Sequence, residues 1–305
     1  GGFDNLLAVA AVFPPAEPDE MLGRTEERGR NAGKYHQDLL DDTGAEFNDF
    51  QQRTLVVFDR LVIRLIGSPS KVPSATQERF RKLFAAANPG VPMESIRVAH
   101  VGNALAAYIG AAFELQAAPW DHYVAGNAKA ITTDQKRGAI TFFGKGRCAV
   151  CHSGSQFSDF DFHGLAVPQL SVGKHGAFLD YGRAAATSRG ADRFKFRTPP
   201  LRNVANTGPW GHNGAFASLS QVVEHHFNPV PALFKAQQSH PETTQHAGRL
   251  LSQRSPLLGE MPPLTADEIK ELLAFLNALT SPTVMTDAQA LPTSVPSGDN
   301  QFIVR

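Results

Sequence analysis

The feature that most constrains this 305-residue sequence is the segment 148–152, in which Cys148 and Cys151 lie three residues apart and His152 follows directly. The chain has no other cysteine, which argues against a disulfide framework and against a structural zinc site with further Cys ligands. Two thiols at this spacing form thioethers to the two vinyl groups of haem, and the adjacent imidazole then reaches the iron. The motif therefore predicts one covalent haem c, with His152 as an iron ligand.

The neighbourhood of the motif argues against a redox-active dithiol. A thioredoxin-like Cys pair opens a helix after a strand of a βαβ unit, whereas here the sequence predicts a helix that Gly144 and Gly146 close just before the motif. Haem is attached to such motifs on the outer side of the bacterial inner membrane. We therefore expect a periplasmic haem protein.

The charge and hydropathy of the chain bear on whether it binds nucleic acid or a membrane. Lys and Arg together number 29, as do Asp and Glu, so the formal net charge is zero and nothing points to nucleic acid or an anionic membrane surface. No apolar run approaches the roughly 18 residues that a membrane span needs. Hydrophobic residues make up 42% of the chain, which is enough to bury a core. We expect a water-soluble protein with no nucleic-acid partner and no membrane span.

The spacing of apolar residues predicts a mainly α-helical chain with almost no strand. Capping boxes formed by Thr132 with Gln135 and by Thr265 with Glu268 open the helix before the motif and the last helix of the chain. We expect the principal helices at about residues 46–67, 74–87, 93–115, 132–143, 218–227 and 266–279.

The helical pattern breaks at 126–127, where a Gly and an Asn follow one another. This break predicts a first domain at residues 1–125, a haem domain at 126–283 and a tail at 284–305 that is rich in Pro, Ser and Thr. Within the haem domain, residues 154–209 are rich in Gly and Phe and have no periodicity. A loop of that length is unusual in a compact domain, and a large non-protein group that it wraps would account for it.

The sixth iron ligand has two candidate sources. Met261 stands just before the final helix, as the methionine does in small His/Met cytochromes. His225 and His226 lie on the helix predicted at 218–227, and because adjacent helical residues point about 100 degrees apart, at most one of them can bind. From the residues alone Met261 is favoured, one of the two histidines comes second, and an open position is the third alternative.

Several stretches around and after the motif form a recognisable pattern. They are 142–154, 157–159, 162–164, 167–168, 196–203 and 207–214. Together they resemble the second-haem half of bacterial dihaem cytochrome c peroxidases and of the MauG-type protein-oxidising enzymes. The stretch from Phe196 to Gly214 is specific to that family, and the resemblance extends over about residues 5–280.

This resemblance implies two cytochrome c-like domains: a haem domain at 126–283, and at 1–125 the helical remainder of the domain whose haem reacts with peroxide. In the family the distal ligand of the second haem is a Met in the peroxidases and a Tyr in the MauG type, and it stands fourteen residues after the His of a His-Asp-Gly turn. Counted from His212, that position in this chain is His226. The resemblance therefore moves the preference from Met261 to His226. Two imidazole ligands imply a low-spin iron with a lower reduction potential than a His/Met cytochrome has.

The resemblance also implies roles for residues outside the motif. Glu20 matches the acid/base that helps to cleave the O–O bond of peroxide, and Pro14 matches a residue that packs against the same haem face. The main-chain carbonyls of Thr207 and Pro209 match ligands of a calcium ion that family members hold between their domains.

The first Cys-x-x-Cys-His of the family should precede residue 1. We therefore expect the peroxide-reacting haem c on a partner chain or on an N-terminal fragment cut from a precursor. The leading hypothesis is that this chain is the electron-transfer half of a peroxidase or MauG-like oxidoreductase, which exchanges electrons with a redox donor or a client protein. The alternative is a monohaem c-type electron carrier that docks to a redox enzyme.

Overall fold

The structure is a computed structural model that describes residues 2–16, 39, 50–113, 116–170, 178–259 and 261–282. The chain separates into two compact units, one drawn from residues 1–114 and the other from residues 115–284. Compactness alone does not define a domain, so the division predicted at residue 125 stays a prediction. Helices dominate both units, which confirms the prediction of a mainly α-helical chain.

The described part of the first unit contains four α-helices. They are α1 (Leu6–Ala10), α2 (Phe50–Ile66), α3 (Ala75–Ala87) and α4 (Val98–Ala112). Helix α3 begins with a capping box in which Ser74 and Gln77 satisfy each other's backbone N–H groups. Helix α4 begins later than predicted because Met93–Ser95 forms a separate 3-10 turn and Ile96 is extended.

The second unit contains a longer series of helices and one small sheet. The helices are α5 (Pro119–Val124), α6 (Thr133–Phe143), α7 (Ala184–Thr187), α8 (Leu219–Phe227), α9 (Val230–Ser239), α10 (Thr244–Ser252) and α11 (Ala266–Asn277). Strand β1 (Phe162–His163) pairs antiparallel with β2 (Phe196–Arg197). The capping boxes at Thr132 and Thr265 are confirmed at the starts of α6 and α11.

Helices α6 and α11 pack directly on each other and form the centre of the second unit. Gly138 lies so close to the backbone of Glu271 that a β-carbon there would also come within 2.8 Å of the β-carbon of Phe275. The rings of Phe142 and Phe275 meet beside this crossing, with their centroids 5.0 Å apart. Trp120 of α5 packs edge-to-face against the same Phe275 ring, with the ring centroids 5.0 Å apart, so α5 is part of this core.

The long segment between the motif and α8 is held by a few specific contacts. The guanidinium of Arg202 donates to both carboxylate oxygens of Asp121, at 2.6 and 2.8 Å. The backbone N–H of Asn203 donates to the carbonyl of Leu279 just beyond α11. The hydroxyl of Ser158 donates to the carbonyl of Thr198 at 2.7 Å and so ties the two limbs of the segment together. The described part of this segment is therefore ordered by its attachment to α5 and α11.

Four short or Pro-containing helices of the second unit, α5, α7, α9 and α10, escaped the sequence analysis. Helix α5 has six residues, which is too short for a periodic pattern. Helix α9 contains Pro231 in its first turn, where a missing N–H costs no helical hydrogen bond, and a 3-10 turn at Pro241–Thr243 leads into α10. No helix in the described ranges combines the length and the apolar character needed to cross a lipid bilayer.

We predict that Gly138→Ala destabilises the holoprotein by about 2 kcal/mol or more, because the new methyl group forces α6 and α11 apart. Gly248→Ala is the matched control, since Gly248 lies on α10 with no atom within 4 Å of the added methyl group. Because alanine has a higher helix propensity than glycine, Gly248→Ala should raise the free energy of unfolding by up to about 1 kcal/mol. Urea unfolding followed by circular dichroism measures both values, and equal stabilities for the two variants would contradict the close crossing.

Candidate haem site

A cavity of about 390 Å³ lies between α8, α11 and the long segment of the second unit. Its wall includes both cysteines of the motif, His152, His226 and Met261. Most of the remaining wall is apolar, with Phe142 and Leu272 from the α6–α11 core among its members. The size falls within the range of cofactor pockets, and the apolar wall suits a macrocycle of low polarity.

The motif forms a tight turn, and both of its cysteines line the cavity. Arg147 adopts a left-handed conformation with φ of 53°, and the chain then forms a 3-10 turn over Cys148–Val150. The N–H of His152 donates to the carbonyl of Cys148 at 2.9 Å, which closes the turn. The two cysteines do not form a disulfide bond with each other.

The environment of the two thiols is unlike that of a redox-active dithiol. Burial raises the pKa of Cys148 to about 12, and burial also raises the pKa of Cys151. Redox-active pairs lower the thiol pKa because the thiolate is the reacting form. The raised pKa values therefore argue against a redox-active dithiol at this position.

The ring of His152 is oriented by the backbone of the residues that follow it. Its Nδ1 lies 3.0 Å from the carbonyl oxygen of Phe157. A carbonyl can only accept, so Nδ1 bears the proton and Nε2 keeps its lone pair free for a metal. A backbone or carboxylate acceptor on the far nitrogen is the usual way in which proteins orient a ligating histidine.

The ring of His226 is oriented in the same manner by its own helix. Its Nδ1 lies 2.7 Å from the carbonyl oxygen of Val222, one turn earlier on α8, so that Nε2 is again the free nitrogen. Burial, followed by the proximity of His226, lowers the pKa of His152 to about 4. Burial likewise lowers the pKa of His226. Near neutral pH the cavity therefore contains two neighbouring, uncharged imidazoles, each with Nε2 available for coordination.

The neighbouring His225 points elsewhere. Its side chain is only 2% exposed, and its Nε2 donates to the carbonyl of Leu165 at 2.8 Å. Its ring also packs against that of Phe216, with the centroids 4.7 Å apart. Unlike His226, it is not part of the cavity wall. Of the two adjacent histidines, α8 thus presents only His226 to the cavity.

The remaining residues singled out by the sequence are distributed differently. Met261 shares the cavity wall with His226, so the identity of the sixth ligand stays a prediction. Thr207 and Pro209 also line the cavity, and a calcium ion on their carbonyls stays a prediction as well. Glu20 lies outside the described residues. Pro14 lies in a 3-10 turn, Pro14–Ala16, of the first unit.

The structure also shows groups in and around the site that the sequence analysis did not assign to it. The acceptors that orient the two imidazoles are main-chain carbonyls, for which no residue type gives a signal. Gln169 is a further wall residue that no motif distinguishes. Asp159 contacts the Nε2 of His163 at 3.0 Å, and both lie near Cys151. This is the single grouping of His, Cys and acidic side chains with metal-binding spacing in the described ranges.

Comparison with known proteins gives clear relatives. No protein-family model matches the chain. The methylamine utilization protein MauG of Methylorubrum extorquens is 35% identical over 168 residues, a match that covers 55% of this chain and 42% of MauG. The cytochrome c551 peroxidase of Pseudomonas aeruginosa is 31% identical over 198 residues, and that match covers 63% of this chain and 53% of the peroxidase.

Solved structures show the same relationship at the level of fold. The diheme peroxidase BthA from Burkholderia thailandensis aligns with a TM-score of 0.56 at 20% identity, covering 96% of this chain and 67% of that one. A MauG-like protein associated with microbial copper homeostasis aligns with a TM-score of 0.53 at 23% identity. This alignment covers 75% of this chain and 63% of the MauG-like protein. At such identities the likeness shows the fold, and it confirms the predicted cytochrome c-like architecture.

The relatives are longer than this chain, which spans about half the length of the two curated proteins described above. Their identities are 35% and 31% over the matched parts. The sequence resemblance, the fold and the curated relatives agree. Over the part that it shares with these proteins, the chain is similar in sequence to MauG and to cytochrome c peroxidases.

Proposed function

We propose that the chain binds one haem c through Cys148, Cys151 and His152 and takes His226 as the second axial ligand. The observation that carries this proposal is the pair of imidazoles in one cavity, each with Nδ1 bonded to a backbone carbonyl. The Nε2 of each ring is thus free to bind a metal, and both rings are uncharged near neutral pH. The residues fit a six-coordinate haem, which supplies one-electron oxidation and reduction when bound.

This ligand set supports electron transfer rather than direct reaction with peroxide. With both histidines bound to the iron, no coordination position would be left for a substrate, and the mainly apolar wall would keep the surroundings of the haem of low polarity. We therefore propose that the chain is the electron-transfer half of a peroxidase or MauG-like oxidoreductase. Its redox partners are a donor protein or a client protein, and its compartment is the periplasm.

The peroxide-reacting haem then has to be held by other residues. The chain contains two cysteines, and the first haem c uses both of them. A second haem c therefore needs a binding motif outside these 305 residues, on a partner chain or on an N-terminal fragment of a precursor. In that assembly we assign the acid/base role to Glu20 and a calcium ion to the carbonyls of Thr207 and Pro209, both on the strength of the family resemblance.

We predict that His226→Ala converts the iron of the holoprotein from low spin to high spin, because the free axial position then holds water or nothing. Electron paramagnetic resonance and the visible spectrum of the oxidised protein measure this change. Met261→Leu is the matched control on the same cavity wall, and it should leave the spectrum unchanged. The wild-type oxidised protein should also lack the near-infrared band of a Met-ligated iron. A spin change in the Met261 variant alone would assign the ligand to Met261 instead.

We predict that gentle purification from the native host yields this chain together with a second haem-bearing polypeptide. Native mass spectrometry of the active complex should show two haems for each copy of the chain. A fully active monomer with a single haem would contradict the two-haem assembly and support the monohaem carrier.

A further inference from the structure

Gln169 is a buried polar side chain on the wall of the haem cavity. It follows β1 in the long segment, and it is 4% exposed. Its Oε1 accepts a hydrogen bond from the backbone N–H of Asp180 at 3.1 Å. Its Nε2 has no hydrogen-bond partner among the described residues. One end of this carboxamide is thus satisfied by the protein, and the other is not.

The hydrogen bond to Asp180 fixes which way the carboxamide faces. A backbone N–H can only donate, so the oxygen of Gln169 has to lie on the Asp180 side and the NH₂ group on the opposite side. The preceding residue is held in place as well, because Asn213 donates from Nδ2 to the carbonyl of Pro168 at 2.8 Å. The orphaned NH₂ group is therefore a positioned donor rather than a loose one.

A buried N–H without an acceptor is rare in native proteins, because it loses its hydrogen bonds to water and gains nothing in return. Such a donor on a cofactor cavity points to an acceptor on the cofactor. The inference that follows rests on the proposed function, since it requires the haem. A haem periphery is hydrocarbon apart from its two propionate groups, and its iron and pyrrole nitrogens are already bonded when His152 and His226 ligate. The propionate carboxylates are then the acceptors that remain.

We propose that the carboxamide of Gln169 donates an N–H to a haem propionate and so forms part of the site that holds the carboxylate end of the haem. A hydrogen bond to an ionised carboxylate favours the ionised form, so Gln169 keeps that propionate deprotonated to lower pH. The other charged or titratable side chains on the cavity wall, besides the motif cysteines and the two axial histidines, are Arg147, His163, Arg197 and His212.

Two variants at this position test the proposal. Gln169→Met removes the donor and the acceptor together. Gln169→Glu keeps an oxygen for the N–H of Asp180 but removes the NH₂ donor. In both holoproteins we expect the propionate bending band in the resonance Raman spectrum to shift. For Gln169→Met, the pH at which the midpoint potential begins to change should rise by roughly one unit.

Asn213→Ala is the matched control. It loosens the same loop by releasing the carbonyl of Pro168, yet it leaves the Gln169 side chain intact. This variant should keep the wild-type Raman band and the wild-type pH dependence. If Gln169→Met fails to fold, Gln169→Glu decides the question alone, because it preserves the contact with Asp180.

The outcomes distinguish a failure of the role proposed for Gln169 from a failure of the proposed haem-binding function. Haem attached in full, with the propionate band of both Gln169 variants unchanged, would overturn the role of Gln169 and leave the proposed function standing. A band shift of equal size in Asn213→Ala would also overturn it, because loop position and not the donor would then be responsible. A wild-type protein without any Soret band would contradict the proposed function itself.

Discussion

The crossing of α6 and α11 is the contact on which the rest of the second unit depends. Because position 138 is glycine, the two backbones touch, and the aromatic side chains beside it close over one another. Phe142 and Leu272 then contribute to the core on one side and to the cavity wall on the other. The motif turn begins five residues after the end of α6 at Phe143, so the position of this helix fixes the position of the thiols.

The chemistry follows from how two histidines are held. His152 is oriented by the carbonyl of Phe157 and His226 by that of Val222, so neither ring relies on a neighbouring side chain for its tautomer. Burial keeps both rings uncharged, so the lone pair on each Nε2 is available without loss of a proton. If the chain holds the haem as proposed, two imidazoles fixed in this way would keep the same ligands on the iron in both oxidation states, as electron transfer requires.

The sequence predicted what depends on local chemistry. The capping box at Thr132 involves residues three apart and was found from their spacing alone, as was the haem motif. Helix α9 was missed because Pro231, a residue that usually breaks helices, lies harmlessly in its first turn. The residues alone left His225 and His226 open, and the family resemblance favoured His226. The physical reason that His225 does not face the cavity is its contact with Leu165, which is 60 residues away in sequence. The unsatisfied donor of Gln169 could not be found from the sequence, because whether a side chain has a hydrogen-bond partner depends on the residues that the fold places around it.

The central claim is that a haem is covalently attached to Cys148 and Cys151. The most direct test is the intact mass of the denatured chain after expression in a host that matures c-type cytochromes, with the double variant Cys148→Ala, Cys151→Ala expressed in parallel. The account predicts that the wild-type chain weighs its 32.9 kDa polypeptide plus one haem, and that the double variant weighs its polypeptide alone. A wild-type chain that shows only the polypeptide mass under these conditions would contradict the account.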